Sequence, residues 1–156
     1  MQNKTISVVG LGYIGLPAAA MFASREVNVL GVDVNAQDGD IINQGKIHIV
    51  EPGLEEIVQK AVSDGFLKAV TRPEPADAFV IAVPTPFKGD HEPDTGYIEA
   101  VAKAIAPVLE KGNVIILEST SPVGTTEQLV AWLSAARPDL AFPKEGVNQE
   151  ADIYVA

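Results

Sequence analysis

The fold predicted for this chain follows from residues 5–15, TISVVGLGYIG. Its first five residues are mostly β-branched and apolar, which is typical of a buried strand. Three glycines follow directly in the spacing Gly-x-Gly-x-x-Gly, and a helical pattern begins within them. A strand, a glycine turn and a helix in this order form the context in which such spacing indicates a dinucleotide-binding turn.

Each glycine of this turn has its own predicted role. Gly10 allows the tight turn out of the strand, Gly12 leaves room for a pyrophosphate, and Gly15 lets the helix approach the sheet closely. The backbone amides of Tyr13 and Ile14 are expected to point at the phosphates, aided by the positive end of the helix dipole. A glycine turn that binds nothing, or that binds another adenosine ligand such as S-adenosylmethionine, stays the alternative.

Asp33 is the predicted ribose ligand. It ends the second strand-like run, 18 residues after Gly15. Its carboxylate can accept hydrogen bonds from the ribose hydroxyls of an adenosine and would repel a 2′-phosphate. No arginine occurs at 34–36 to hold such a phosphate. The predicted cofactor is therefore NAD rather than NADP.

Strand-like and helical patterns alternate along the rest of the chain. Strands are predicted at 5–9, 27–32, 67–70, 78–83, 114–117 and from 153 to 156. Helices are predicted at 13–25, 40–44, 54–63, 97–110 and 124–136, with Pro107 kinking or ending the fourth. A long polar loop is predicted at 84–96. This alternation predicts an α/β fold with a doubly wound parallel sheet, a Rossmann-type domain.

The domain prediction is a dinucleotide-binding domain over 1–156. The chain closes on the apolar run Ile153-Tyr154-Val155-Ala156 with no linker after it. We therefore expect a fragment whose catalytic and substrate-binding domains lie elsewhere.

Composition narrows the function classes. The net charge of −10, from 21 acidic and 11 basic residues without a basic stripe, argues against a nucleic-acid partner. No apolar run reaches the ~18–20 residues of a membrane span, and the first residues do not resemble a secretory signal. The chain has no cysteine, which excludes disulfides and thiolate metal sites within it. A cytoplasmic protein with no membrane partner is expected.

Two further motifs carry a family resemblance. Val83-Pro84-Thr85-Pro86 follows the fourth predicted strand, and the run ESTSPVGTT at 118–126 follows the fifth. Both lie at the carboxyl ends of strands, where open α/β sheets bind ligands. Together with GLGYIGLP at 10–17, they resemble the UDP-glucose/GDP-mannose dehydrogenase family, and the resemblance covers essentially the whole chain.

The resemblance implies a set of cofactor-binding residues. These are Gly10, Gly12, Tyr13, Ile14, Gly15, Asp33, Thr85, Thr120 and Thr126. Thr120 would lie near the nicotinamide and the reacting carbon, where it could help to place a water molecule. No residue of the chain is predicted to be catalytic beyond that role.

The resemblance also implies a reaction. Family members oxidise the C6 alcohol of a nucleotide-linked sugar to a carboxylate with two NAD, through a thioester on a cysteine. Because this chain has no cysteine, we expect it to be inactive alone, with the sugar nucleotide bound by the missing half of a homo-oligomeric parent. Pro-Thr-Pro at 84–86, Glu-Pro-Asp at 92–94 and IHIVEP at 47–52 resemble the members of the family that act on UDP-N-acetyl-D-mannosamine, so the resemblance implies this substrate. UDP-N-acetylglucosamine, UDP-glucose, GDP-mannose and a stand-alone NAD-sensing module stay open.

Other polar residues are interpreted structurally. Asp90, His91, Glu92 and Asp94 are expected to form a solvated loop rather than a metal site, because their spacing does not bring ligands together. No metal is predicted.

The remaining single residues have packing or capping interpretations. His48 is predicted to pack or to lie at an interface. Trp132 is predicted to contribute to the packing of its helix. Glu51 and Glu118 are expected to be structural or solvated. Thr125 and Gln128 have the spacing of a capping box. Gly39 weakens the second helix by about 1 kcal/mol relative to alanine, with no functional explanation.

Overall fold

A parallel sheet of six strands runs through the computed structural model, which describes residues 3–144 and 150–156. The strands are β1 Thr5–Val9, β2 Asn28–Val32, β3 Leu67–Val70, β4 Ala78–Ile81, β7 Val114–Leu117 and β8 Tyr154–Val155. They are ordered β3-β2-β1-β4-β7-β8, and all neighbours pair in parallel. β2 and β3 thus extend the sheet on one side of β1, and β4, β7 and β8 extend it on the other side.

Helices cover both faces of this sheet. They are α1 Gly15–Ser24, α2 Ala36–Asn43, α3 Leu54–Ser63, α4 Gly96–Ile105 and α5 Thr125–Ala136. α1, α2 and α3 enclose one apolar core, and α4 and α5 enclose the other. Alternate residues of β1 enter the two cores, Val8 the first and Val9 the second. The predicted doubly wound α/β fold is confirmed. In the described ranges, no helix is long and apolar enough to cross a membrane.

Most predicted elements have the expected position. β1, β3, β7 and α3 have exactly the predicted bounds because their apolar patterns stop at clear turn residues. α1 begins at Gly15, two residues later than predicted, because residues 12–14 form the turn that precedes it. The other strand ends shift by one or two residues.

The start of the second helix was predicted wrongly. α2 begins at Ala36 instead of residue 40. The side-chain oxygen of Asn35 accepts hydrogen bonds from the amides of Gln37 and Asp38 at 3.0 and 3.3 Å. Asn35 is therefore a true N-cap, and this capping residue is the sequence signal that the helical period alone did not reveal.

α4 and the loop before it each contain a local feature, an early helix end and a short hairpin. Pro107 lies in a short 3₁₀ segment, Ala106–Val108, and α4 ends just before it, so the early end is confirmed. The predicted loop 84–96 contains a small antiparallel hairpin of β5 Phe87–Lys88 and β6 Glu92–Pro93. The hairpin is exposed on the surface.

The prediction of a capping box at Thr125 is wrong. The N-cap of α5 is Gly124, in a left-handed conformation with φ 91°, and no side chain caps the helix. The hydroxyl of Thr125 instead donates to the carbonyl of Pro122 at 2.8 Å. Because Gly124 turns the chain immediately before the helix, Thr125 becomes its first residue and cannot serve as the cap.

Gly39 lies buried in α2, where it faces β3. A Cβ added there would lie 3.7 Å from the Cβ of Ala69, an ordinary contact distance, and the φ of Gly39 is compatible with any L-residue. Gly39→Ala should therefore raise the free energy of unfolding by about 0.5–1 kcal/mol, since alanine has the better helix propensity and a less flexible unfolded state. Urea denaturation would measure the change. A loss of stability would mean that α2 needs a closer approach to β3 than the structure shows.

Candidate cofactor site

An open cavity of about 870 Å³ lies at the carboxyl ends of β1, β2, β3, β4 and β7. Its size is in the range of ligand-binding clefts. It is centred where the connections from β1 and β4 lead to opposite sides of the sheet, which is where doubly wound folds bind their ligands. The predicted site residues that line it are Gly10, Gly12, Tyr13, Ile14, Asp33, Thr85 and Thr120.

The glycine turn forms the floor of this cavity, and at two of its three glycine positions there is no room for a side chain. Gly10 has φ +95°, its amide donates to the carbonyl of Val32 at 2.8 Å, and an added Cβ would lie 2.7 Å from the carbonyl oxygen of Ala82. A Cβ on Gly15 would lie 1.6 Å from the carbonyl oxygen of Gly10. Both positions therefore require glycine for the turn itself, whatever the turn binds.

Gly12 differs from the other two glycines. A Cβ added there would meet no atom within 4 Å. α1 begins three residues later without a side-chain cap, and the amide of Leu16 in its first turn donates to the carbonyl of Gly12 at 3.1 Å. The amides of Tyr13 and Ile14, in the turn itself, have no acceptor among the described residues. Open space beside Gly12 and these two amides are what a pyrophosphate needs, so the residues present fit a dinucleotide.

The carboxylate of Asp33 is held by two backbone amides. Leu11 donates to Oδ2 and Asn35 donates to Oδ1, each at 3.0 Å. A carboxylate can accept about four hydrogen bonds, so capacity remains for the hydroxyls of a ribose. The bond to Leu11 also ties the glycine turn to the end of β2. Asp33 therefore has a structural role in addition to the ligand role predicted from the sequence.

Thr85 and Thr120 lie together on the other side of the glycine turn. The hydroxyl of Thr85 donates to the carbonyl of Thr120, and the hydroxyl of Ser119 donates to the carbonyl of Val83 at 2.8 Å. These bonds join the loops that follow β4 and β7. They give the cavity a second wall that carries hydroxyl groups, of which that of Thr120 belongs to an exposed residue.

Two predicted residues do not line the cavity. Gly15 lies beneath the turn, where its role is packing, and Thr126 is half-buried in the first turn of α5. Contacts of Thr126 and of the cavity-lining residues with a cofactor stay predictions, since they concern a bound ligand.

Asp38, His48 and Arg72 are among the charged or polar residues that line the cavity and were not predicted as site residues. Arg72 follows β3 by two residues, and Asp38 and His48 approach from α2 and from the loop after it. His48 Nε2 lies 3.8 Å from Asp38 Oδ2, and its side chain is 14% exposed. His48 Nδ1 is buried without a hydrogen-bond partner among the described residues. Arg72 could have been found as the charged residue that follows the third predicted strand, since open α/β sheets bind ligands at the carboxyl ends of their strands.

The other interpreted residues lie as follows. Trp132 packs against the second core, which confirms its packing role. Glu118 lines the cavity with an exposed side chain, and Glu51 is exposed. Within residues 3–144 and 150–156, no group of three or more His, Asp or Glu side chains could hold a metal ion. Asp90, His91 and Glu92 belong to the exposed hairpin.

Comparison with known proteins gives consistent matches. The model of the UDP-glucose/GDP-mannose dehydrogenase family, NAD binding domain, matches residues 4–156. A UDP-N-acetyl-D-mannosamine dehydrogenase of Yersinia pestis is 63% identical over 156 residues, which are 100% of this chain and 37% of that protein. An NDP-N-acetyl-D-galactosaminuronic acid dehydrogenase of Ralstonia nicotianae is 63% identical over 98% of this chain and 36% of its own length.

A solved structure agrees with these matches. The UDP-N-acetyl-mannosamine dehydrogenase of Staphylococcus aureus superposes with a TM-score of 0.85 and 42% identity, over 97% of this chain and 35% of that one. The chain thus spans little more than a third of the length of the relatives it matches.

Proposed function

This chain belongs to the UDP-glucose/GDP-mannose dehydrogenase family, as its NAD-binding domain, and from that premise we propose that the whole protein oxidises UDP-N-acetyl-D-mannosamine to UDP-N-acetyl-D-mannosaminuronate. The observation that carries the proposal is the cavity itself, with open space at Gly12 between a fixed carboxylate and a hydroxyl-bearing wall. The identity of 63% to a relative of that name supports the choice of sugar.

The residues of the cavity suggest how NAD would be held. The amides of Tyr13 and Ile14 just before α1 and the space at Gly12 would receive the pyrophosphate. Asp33 would accept hydrogen bonds from the adenosine ribose, which leaves Thr85 and Thr120 for the nicotinamide half. Bound NAD supplies the hydride acceptor. The contribution of this chain is to bind and orient it.

The covalent part of the reaction is proposed to lie outside these residues. Family chemistry uses a cysteine, and this chain has none. We therefore propose that these 156 residues bind NAD and turn over no sugar nucleotide alone. The whole protein is proposed to be a cytoplasmic homo-oligomer with a nucleotide-sugar substrate and neither a nucleic-acid nor a membrane partner.

A second substrate is favoured by one observation. The Ralstonia relative, named for an N-acetyl-D-galactosaminuronic acid, is as similar to this chain as the Yersinia protein. Formation of NADH by the whole protein with the manno- and galacto-configured UDP-N-acetylhexosamines would decide between the two. Faster turnover of the galacto-configured substrate would overturn our choice of sugar and leave the NAD site untouched.

Titration calorimetry of the chain with NAD and NADP tests the cofactor site. NAD should bind more tightly than NADP, and Asp33→Ala should weaken NAD binding at least about tenfold, the scale of hydrogen bonds to a charged group. The difference in affinity between NAD and NADP should also be smaller in this variant, because the carboxylate that repels a 2′-phosphate is gone.

The control for this titration is Asp40→Ala, which removes an exposed carboxylate of α2 that does not line the cavity. Asp33→Ala also deprives the amides of Leu11 and Asn35 of their acceptor, so urea denaturation must show that it is folded under the titration conditions. Unchanged NAD affinity in a folded Asp33→Ala variant would contradict the proposed ribose contact.

A further inference from the structure

We propose that the guanidinium group of Arg72 stacks against the adenine base of the bound dinucleotide. This inference rests on the proposed placement of NAD in the cavity. It assigns recognition of the base to a residue that follows the third strand, outside both the glycine motif and the run 34–36 after Asp33.

The strand order places Arg72 at the adenosine end of the cavity. β3 is the edge strand beside β2, and Val32 pairs with Val70. The amide of Asp33 donates to the carbonyl of Val70 at 3.1 Å, so the residues after β3 lie beside those after β2. If Asp33 holds the ribose and Gly12 the pyrophosphate, the base must lie on the far side of Asp33, toward Arg72.

The residues at this end suit the face of a base. Val34 and Pro73 line it together with Arg72, and Val34 is 92% exposed, a large apolar surface left open to the cavity. Arg72 is itself exposed and forms no salt bridge with any residue in the described ranges. A planar, weakly hydrated guanidinium prefers aromatic faces, and adenine presents such a face.

The charges around Arg72 favour a neutral base over a phosphate. The carboxylates of Asp33 and Asp38 line the same cavity as Arg72. A 2′-phosphate in this cavity would be repelled by both of them, whereas an adenine ring brings no charge. Stacking on the base is therefore the contact that this electrostatic environment permits.

The test is titration calorimetry of the chain with NAD, ADP-ribose and NADP. Arg72→Ala should weaken the binding of NAD and of ADP-ribose by the same factor, about fivefold, which is the scale of an exposed cation–π contact. Arg72→Lys keeps the charge without the planar group and should recover only a small part of the loss. Arg25→Ala, which removes an exposed arginine outside the cavity, should bind as the wild type does.

Each other outcome has a definite meaning. If Arg72→Lys restored full affinity, or if Arg72→Ala lost more affinity for NADP than for NAD, Arg72 would contact a phosphate and the inference would be overturned. If Arg72→Ala lost affinity for NAD but not for ADP-ribose, Arg72 would lie away from the adenine, which would overturn the inference too. Unchanged binding in Arg72→Ala would refute this inference alone, whereas failure of the wild type to bind NAD would refute the proposed cofactor site as well.

Discussion

Gly15→Ala is expected to lower the free energy of unfolding by about 3 kcal/mol or more. The added Cβ would lie 1.6 Å from the carbonyl oxygen of Gly10 and 2.8 Å from its carbonyl carbon. Neither atom belongs to a movable side chain, so relief requires that α1 move away from the end of β1. Such a movement would disturb the packing of Leu16 and Ala19, which are fully buried in the first core.

Urea denaturation of the variant would measure this loss, with Gly12→Ala as the matched control. Both substitutions add one methyl group within the same turn, but Gly12 has open space where Gly15 has a carbonyl group. If Gly15→Ala were within about 1 kcal/mol of the wild type, the close approach of α1 to the glycine turn would be wrong.

Gly12→Ala is expected to reduce NAD affinity by at least about 100-fold while the domain stays folded. The methyl group would occupy the space that the proposed pyrophosphate needs beside the turn, and a phosphate held by helix amides cannot shift away without losing those bonds. A factor of 100 corresponds to about 3 kcal/mol of binding free energy. The cost in stability should stay below about 1 kcal/mol, since the methyl group meets no protein atom within 4 Å.

Calorimetric titration with NAD and urea denaturation of the same preparation separate the two effects. Asp40→Ala serves again as a variant that should change neither quantity appreciably. Retention of NAD binding by a folded Gly12→Ala variant would show that the pyrophosphate does not lie against Gly12, and the proposed placement of the cofactor would fail.

Local sequence was sufficient wherever an element had its own clear pattern. The β-branched run of β1 and the helical period of α3 were predicted to the residue, and Pro107 marked the end of α4. The start of α2 and the cap of α5 were missed, since each depends on one turn residue, Asn35 or Gly124, that alters the backbone just before the helix.

Patterns within the sequence were sufficient to predict the glycine turn, the acidic residue after the second strand and the parallel sheet that follows from strand–helix alternation. The glycine turn and the acidic residue are local features, and the parallel direction of the strands follows from their alternation with helices, which leaves open which strands are neighbours. Tertiary structure alone decided that Asp33 anchors Leu11 and that Arg72 and His48 reach the cavity. These residues are distant in the chain and meet only because β3 pairs with β2 and the loop after α2 folds back, and no local pattern records such long-range pairing.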